Sequence, residues 1–125
     1  MLKLKALDHV GIVVTDMDRS LHFYTAGLGL ELLRRRGAGR EGFAALKAGH
    51  AELNVFCNPN LVSENTPQRV DHLCLVMDYA TIDDLLAALR EAGLGIASGP
   101  VKRSDGAALF VHDPDGLRVE LLVKE

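Results

Sequence analysis

The sequence repeats itself. Leu7-Asp8-His9-Val10 returns as Val70-Asp71-His72-Leu73 at an offset of 63, and Ala26-Gly27-Leu28-Gly29-Leu30 returns as Ala92-Gly93-Leu94-Gly95-Ile96 at an offset of 66. The offset is still 66 where Leu53-Asn54-Val55 aligns with Val119-Glu120-Leu121. The second copy therefore carries three extra residues between its first strand and its helix. A repeated supersecondary unit cannot bury its apolar face alone and stacks on its neighbour, so the 125 residues read as one domain of two modules. Module one covers about residues 5–57 and module two about 69–124. The linker, about 58–68, holds two prolines and no apolar periodicity.

Each copy reads strand, helix, then three strands. His9-Val10-Gly11-Ile12-Val13-Val14 is a β-rich run that ends at the helix-capping pair Thr15-Asp16. Met17, Leu21, Tyr24 and Leu28 then recur at helical spacing, with Gly27 and Gly29 as stops. Leu30 to Leu33, Phe43 to Leu46 and Glu52 to Phe56 are the remaining strands. In the second copy Leu73 to Met77 is the strand and Thr81-Ile82-Asp83-Asp84 resembles a capping box. Ile82, Leu85, Leu86 and Leu89 form the buried stripe of its helix, and Gly93 is the C′ residue. The fold class is α+β: tandem βαβββ modules forming a curved mixed sheet with a concave cup.

Composition excludes several functions. A net charge of −3 is wrong for a domain built on phosphate contacts, which argues against nucleic acid. No apolar run reaches the roughly 18 residues of a membrane span, and the first residues lack a signal-peptide core. Two cysteines, Cys57 and Cys74, in apolar runs make no disulfide framework and read as small core residues. A reduced cytoplasm is the expected setting.

Side chains alternate across a strand, which assigns faces. His9 shares a face with Gly11 and Val13, and His72 with Cys74 and Val76. On the last strand Arg118, Glu120 and Leu122 oppose Leu117, Val119 and Leu121. The apolar set must meet the helices, leaving Glu120 on the open face, with Glu52, Asn54 and Phe56 on the same face of copy one. His9, His72 and Glu120 thus come from equivalent strands, and two imidazoles with a carboxylate suit a divalent transition metal.

These residues resemble a known family. Leu7 to Val14, then Ser20-Leu21-His22-Phe23-Tyr24, Gly27-Leu28-Gly29, Asp113-Pro114-Asp115-Gly116 and Val119-Glu120-Leu121 are similar to segments of vicinal oxygen chelate proteins. That superfamily includes glyoxalase I, methylmalonyl-CoA epimerase, fosfomycin-resistance transferases, extradiol dioxygenases and bleomycin-binding proteins. The resemblance implies a glyoxalase-like fold with metal ligands at His9, His72 and Glu120, and one divalent ion (Mn, Zn, Ni or Fe). Asn54 stands where glyoxalase I resembles a fourth, carboxylate or Gln ligand, and Glu52 lies one strand step away. Glu120, or Glu52 if it reaches the site, is the expected general base. Asn54, Glu52, Phe56, Phe110, His112 and Arg103 are the expected substrate contacts, with Phe56, Cys74 and Phe110 lining the cup.

The resemblance also implies a homodimer, with His9 either completing the site within the chain or arriving from the second copy. The expected activity is a lyase, isomerase or transferase reaction on a small oxygen-bearing substrate; the alternative is a metal-free sequestration protein of the bleomycin-resistance type. Arg103-Ser104-Asp105-Gly106 resembles the anion loop of the fosfomycin transferases, but Ala108, Phe110 and Pro100 depart from that pattern. Gly37-Ala38-Gly39-Arg40-Glu41-Gly42 matches GxGxxG without opening a helix and reads as a loop. Arg34-Arg35-Arg36 reads as a solvated strand end, with a grip on an anionic substrate as the alternative, and His22 and His50 read as surface residues.

Overall fold

The computed structural model describes residues 1, 3–61 and 70–124, so most of the expected linker lies outside the described residues. Module one runs β1 (His9–Val14), α1 (Met17–His22), β2 (Glu31–Arg36), β3 (Phe43–Ala48) and β4 (Ala51–Cys57). Module two runs β5 (His72–Val76), α2 (Ile82–Glu91), β6 (Ser98–Arg103), β7 (Gly106–His112) and β8 (Arg118–Lys124). Both build a four-stranded mixed sheet of the same topology, β1-β4-β3-β2 and β5-β8-β7-β6. In each the first strand lies parallel to the last, and the hairpins are antiparallel. The tandem βαβββ reading holds. The three extra residues of the second copy fall between β5 and α2, as the offset required.

One apolar core serves both modules. Val14, Leu53 and Val55 from the first sheet join Val119, Leu121 and Val123 from the second, with Leu21 and Tyr24 from one helix and Leu85 and Leu89 from the other. The helices start where the caps predict: Asp16 accepts from the Arg19 amide, and Thr81 from the Asp84 amide. Gly93, at φ +72°, ends α2 as a C′ residue, and the Leu94 amide bonds the Leu89 carbonyl.

The first helix departs from a plain α-helix. Past His22 it widens into a π turn over Phe23–Gly27, in which the Leu28 amide reaches the Phe23 carbonyl. The wider turn buries both Phe23 and Tyr24, edge to face at 5.0 Å, where a regular 3.6-residue stripe would favour one of them. GxGxxG is a loop with a single 3₁₀ turn, Gly39–Glu41, leading into β3. Among the described residues no helix is long and apolar enough to cross a membrane.

The Asp113-Pro114-Asp115-Gly116 turn locks the modules together. Asp113 Oδ1 accepts from the Asp115 and Leu117 amides, and its Oδ2 accepts from the Tyr24 hydroxyl at 2.8 Å. Asp115 in turn accepts from the Thr15 amide and hydroxyl. Burial pushes the Asp113 carboxyl up, while the Tyr24 bond opposes that rise; burial, followed by the Asp113 charge, pushes the Tyr24 hydroxyl far above its ordinary value. A carboxyl whose folded pKa is raised contributes stability below its unfolded value and loses it as pH rises through the folded one. Tyr24→Phe raises that pKa further. We therefore expect a loss of about 1–3 kcal/mol at pH 7 and a smaller one near pH 4, read from urea unfolding midpoints. An equal loss at both pH values would show that Asp113 is not titrating there.

Candidate functional site

The open face of module two is a set of rows fixed by strand register. His112, Arg118 and His72 form one row, Phe110, Glu120 and Cys74 the next, and Ala108, Leu122 and Val76 a third. Glu120 is 7% exposed, buried by its neighbours although it faces the open side. Its two oxygens are shared. His72 Nε2 lies 3.1 Å from Oε1, and Arg103 Nε lies 3.4 Å from Oε2. The Phe110 ring meets the His72 ring edge to face at 5.8 Å and carries the Arg118 guanidinium at 4.4 Å.

Proton bookkeeping at His72 is informative. Its Nδ1 donates to Asp71 at 2.6 Å, and that bond, followed in weight by the nearby Arg118 charge, holds the Asp71 carboxyl below its ordinary range. An ionised carboxylate only accepts, so Nδ1 carries the proton. His72 thus lies between two carboxylates, Asp71 at Nδ1 and Glu120 at Nε2. A carboxylate behind an imidazole fixes the orientation of the ring.

Module one carries the same device. His9 Nδ1 lies 2.7 Å from the Asp8 carboxylate, with His9 exposed on the edge strand β1. His9, Glu52 and Lys47 form one row; Gly11, Asn54, Ala45 and Arg34 the next; Val13, Phe56, Phe43 and Arg36 the third. Asn54 therefore occupies the register position that Glu120 has in module two, and Glu52 that of Arg118. Glu52 is held by Arg34 at 3.1 Å.

The structure brings His72, Glu120, Arg103 and Phe110 together. Among the described residues of one chain it gathers no group of three or more His, Cys, Asp and Glu side chains suited to a metal ion. His112 is exposed at the end of β7, next to Arg118. Phe56 is 45% exposed. Cys74, expected to line the cup, lies exposed on the open face of the edge strand β5; burial, followed by the Glu120 charge, pushes its thiol up. A cleft of about 450 Å³ lies beside that strand, between Cys74–Asp78 and the Leu28–Leu30 and Lys47–Gly49 segments.

Sequence reasoning left open which face the arginines of β2 take. A bulge between Leu32 and Arg34 swings Arg34 and Arg36 onto the open face, where both stack on Phe43. Bulges have no reliable sequence mark, so that pairing was not readable. The aspartates behind the histidines were: both copies read Asp-His.

Comparison with known proteins agrees with this fold. The chain is 33% identical over 96% of its length to the glyoxalase domain-containing protein RDO1 of Mycosarcoma maydis, covering 69% of that protein. It is 29% identical to a lactoylglutathione lyase of Salmonella typhimurium, over 91% of this chain and 89% of the lyase. Among solved structures, a glyoxalase family protein from Enterococcus faecalis superimposes with a TM-score of 0.75 at 29% identity, covering 94% of this chain and 97% of the other. An antibiotic binding protein from Streptomyces, TnmS3, reaches 0.78 at 20% identity with both chains fully covered, a likeness of fold alone. Residues 6–121 match the family model of the glyoxalase/bleomycin resistance protein/dioxygenase superfamily, and the chain belongs to that superfamily.

Proposed function

We propose that the protein is a metal-dependent enzyme of this superfamily, a lyase, isomerase or transferase, acting on a small oxygen-bearing substrate. The observation that carries the reading is the carboxylate–imidazole–carboxylate line, with His72 Nδ1 2.6 Å from Asp71 and Nε2 3.1 Å from Glu120. His9, His72 and Glu120 would hold one divalent ion (Mn, Zn, Ni or Fe). Such an ion supplies Lewis-acid stabilisation of a developing oxyanion on a substrate bound through adjacent oxygens. Asp8 and Asp71 orient the two imidazoles. Glu120 is the proposed proton acceptor, Arg103 neutralises it until substrate arrives, and Phe110 excludes water from beside it.

The third ligand comes from a second copy in this reading. β1 and β5 are both edge strands with unused backbone groups, and Val13 and Val76 are about half exposed on them. Pairing β1 of one chain with β5 of another covers these edges and carries His9 to His72. Light scattering should then report about 27 kDa, twice the 13.5 kDa chain mass.

Mixed subunits test the reading. A dimer of one His9→Ala chain and one His72→Ala chain has one intact site and one doubly broken site if the ligands cross. Refolded mixtures enriched for it should bind about half an ion per chain, while each parent homodimer binds more weakly. Mixtures no better than the parents would place the site within one chain, and a wild type without metal would favour the sequestration alternative.

A further inference from the structure

In the Asn54 row, the open face of module one sets small residues where module two sets Phe110 and Cys74. Asn54 lies between Ala45 and Gly11, so a methyl group and a hydrogen flank its carboxamide. Glu120, in the matching position, lies between Phe110 and Cys74 and has His72 and Arg103 as partners. Asn54 is 7% exposed, and its Oδ1 is buried without a hydrogen bond from any described residue. A buried acceptor left unmatched is costly, and nine in ten such groups are paired. Its strand parity directs it to the open side, where a ligand would sit.

The neighbouring rows specify the rest of that ligand. On one side the Phe43 and Phe56 rings lie 5.3 Å apart, and the Phe56 ring covers Gly11 so closely that a Cβ there would meet it at 3.3 Å. Phe56 nevertheless keeps 45% of its surface open. Arg36 lies 4.8 Å from the centre of the Phe43 ring, and Arg34, whose Nη2 also lies 3.1 Å from Glu52, borders Ala45 in the Asn54 row. A guanidinium stacked on a ring still presents its N–H edge to a carboxylate.

We propose that this face of module one binds a 2-hydroxy carboxylate with a flat apolar substituent. The hydroxyl donates to Asn54 Oδ1, the carboxylate lies on Arg34 and Arg36, and the apolar group covers Phe56. The assignment rests on the reading of the open faces as a substrate cup, but on no metal ligand. Asn54 is thus a specificity residue here and not a fourth ligand.

Phenyllactate, phenylpropionate and the methyl ester of phenyllactate are the probes, titrated calorimetrically into the full-length protein in EDTA. Removing metal keeps the two oxygens of phenyllactate from chelating an ion, so failure of the metal assignment leaves this test intact. Wild type should bind phenyllactate about tenfold more tightly than phenylpropionate, the worth of one matched hydrogen bond. Asn54→Ala should erase that preference, and so should Asn54→Leu, which keeps the volume without an acceptor. Arg34→Gln combined with Arg36→Gln should weaken both acids about tenfold and leave the ester unchanged. Equal binding of the two acids by wild type, or a preference that survives both Asn54 variants, overturns the proposal. So does loss of metal affinity in Asn54→Ala, measured separately on the metal-loaded protein, because Asn54 would then be a ligand.

Discussion

Protein in which His9 and His72 are both changed to Ala should retain no divalent ion after dialysis, against about one per chain in the wild type. The double change is needed because three ligands can hold an ion weakly after the loss of one. Losing both imidazoles leaves Glu120 alone, already paired with Arg103 at 3.4 Å, and a single neutralised carboxylate does not compete with water for a transition metal. A graded companion is Asp71→Asn. That substitution keeps all three proposed ligands and removes the carboxylate behind His72, which should weaken metal binding about 10- to 100-fold. Elemental analysis and competition with a chromophoric chelator measure both. Full occupancy of the double variant would refute the site, and an unchanged affinity in Asp71→Asn would show that the Asp71 bond does not set the imidazole.

The fold was legible because the repeat doubled every weak signal. A lone His9 in a strand says little, but His9 and His72 at one register position, each preceded by Asp, mark a shared task. Offset arithmetic placed the three-residue insertion between β5 and α2, and strand alternation put Glu120 on the open face opposite Val119 and Leu121. What escaped the sequence was non-local. Arg34 and Arg36 reach the open face only through a bulge, and Arg103 meets Glu120 from a strand two places away in the sheet. The location of His9 relative to His72 depends on which edges of the two sheets meet, and β1 and β5 carry no signal within one chain to decide that. The π turn at Phe23–Gly27 was hidden for a similar reason: the burial of two adjacent aromatic rings, a tertiary demand, overrode the local helical period.

The same register argument limits the chemistry. The 29% identity to a lactoylglutathione lyase makes isomerisation of the methylglyoxal–glutathione adduct the obvious assay, and we expect it to be nearly blank. By the resemblance to glyoxalase I, Asn54 stands where that enzyme's pattern has a second carboxylate or Gln, and a carboxamide is a poor proton acceptor. Loss of a positioned base costs about 10²- to 10⁴-fold in rate. Glu52 does not replace it easily, since it lies one row away, beside His9, and is tied to Arg34 at 3.1 Å. Turnover should therefore stay at least a hundredfold below that of a lactoylglutathione lyase assayed in parallel, with nickel or zinc added and bound. Glutathione transfer to fosfomycin should be equally weak, because Ala108 and Phe110 lack hydroxyls and Pro100 lacks a charge. Asn54→Glu supplies the missing carboxylate between Ala45 and Gly11 and should raise isomerase turnover if the deficit lies at that position. Robust wild-type turnover would instead identify Glu52 as a base freed from Arg34, and an Arg34→Gln variant would then turn over faster still.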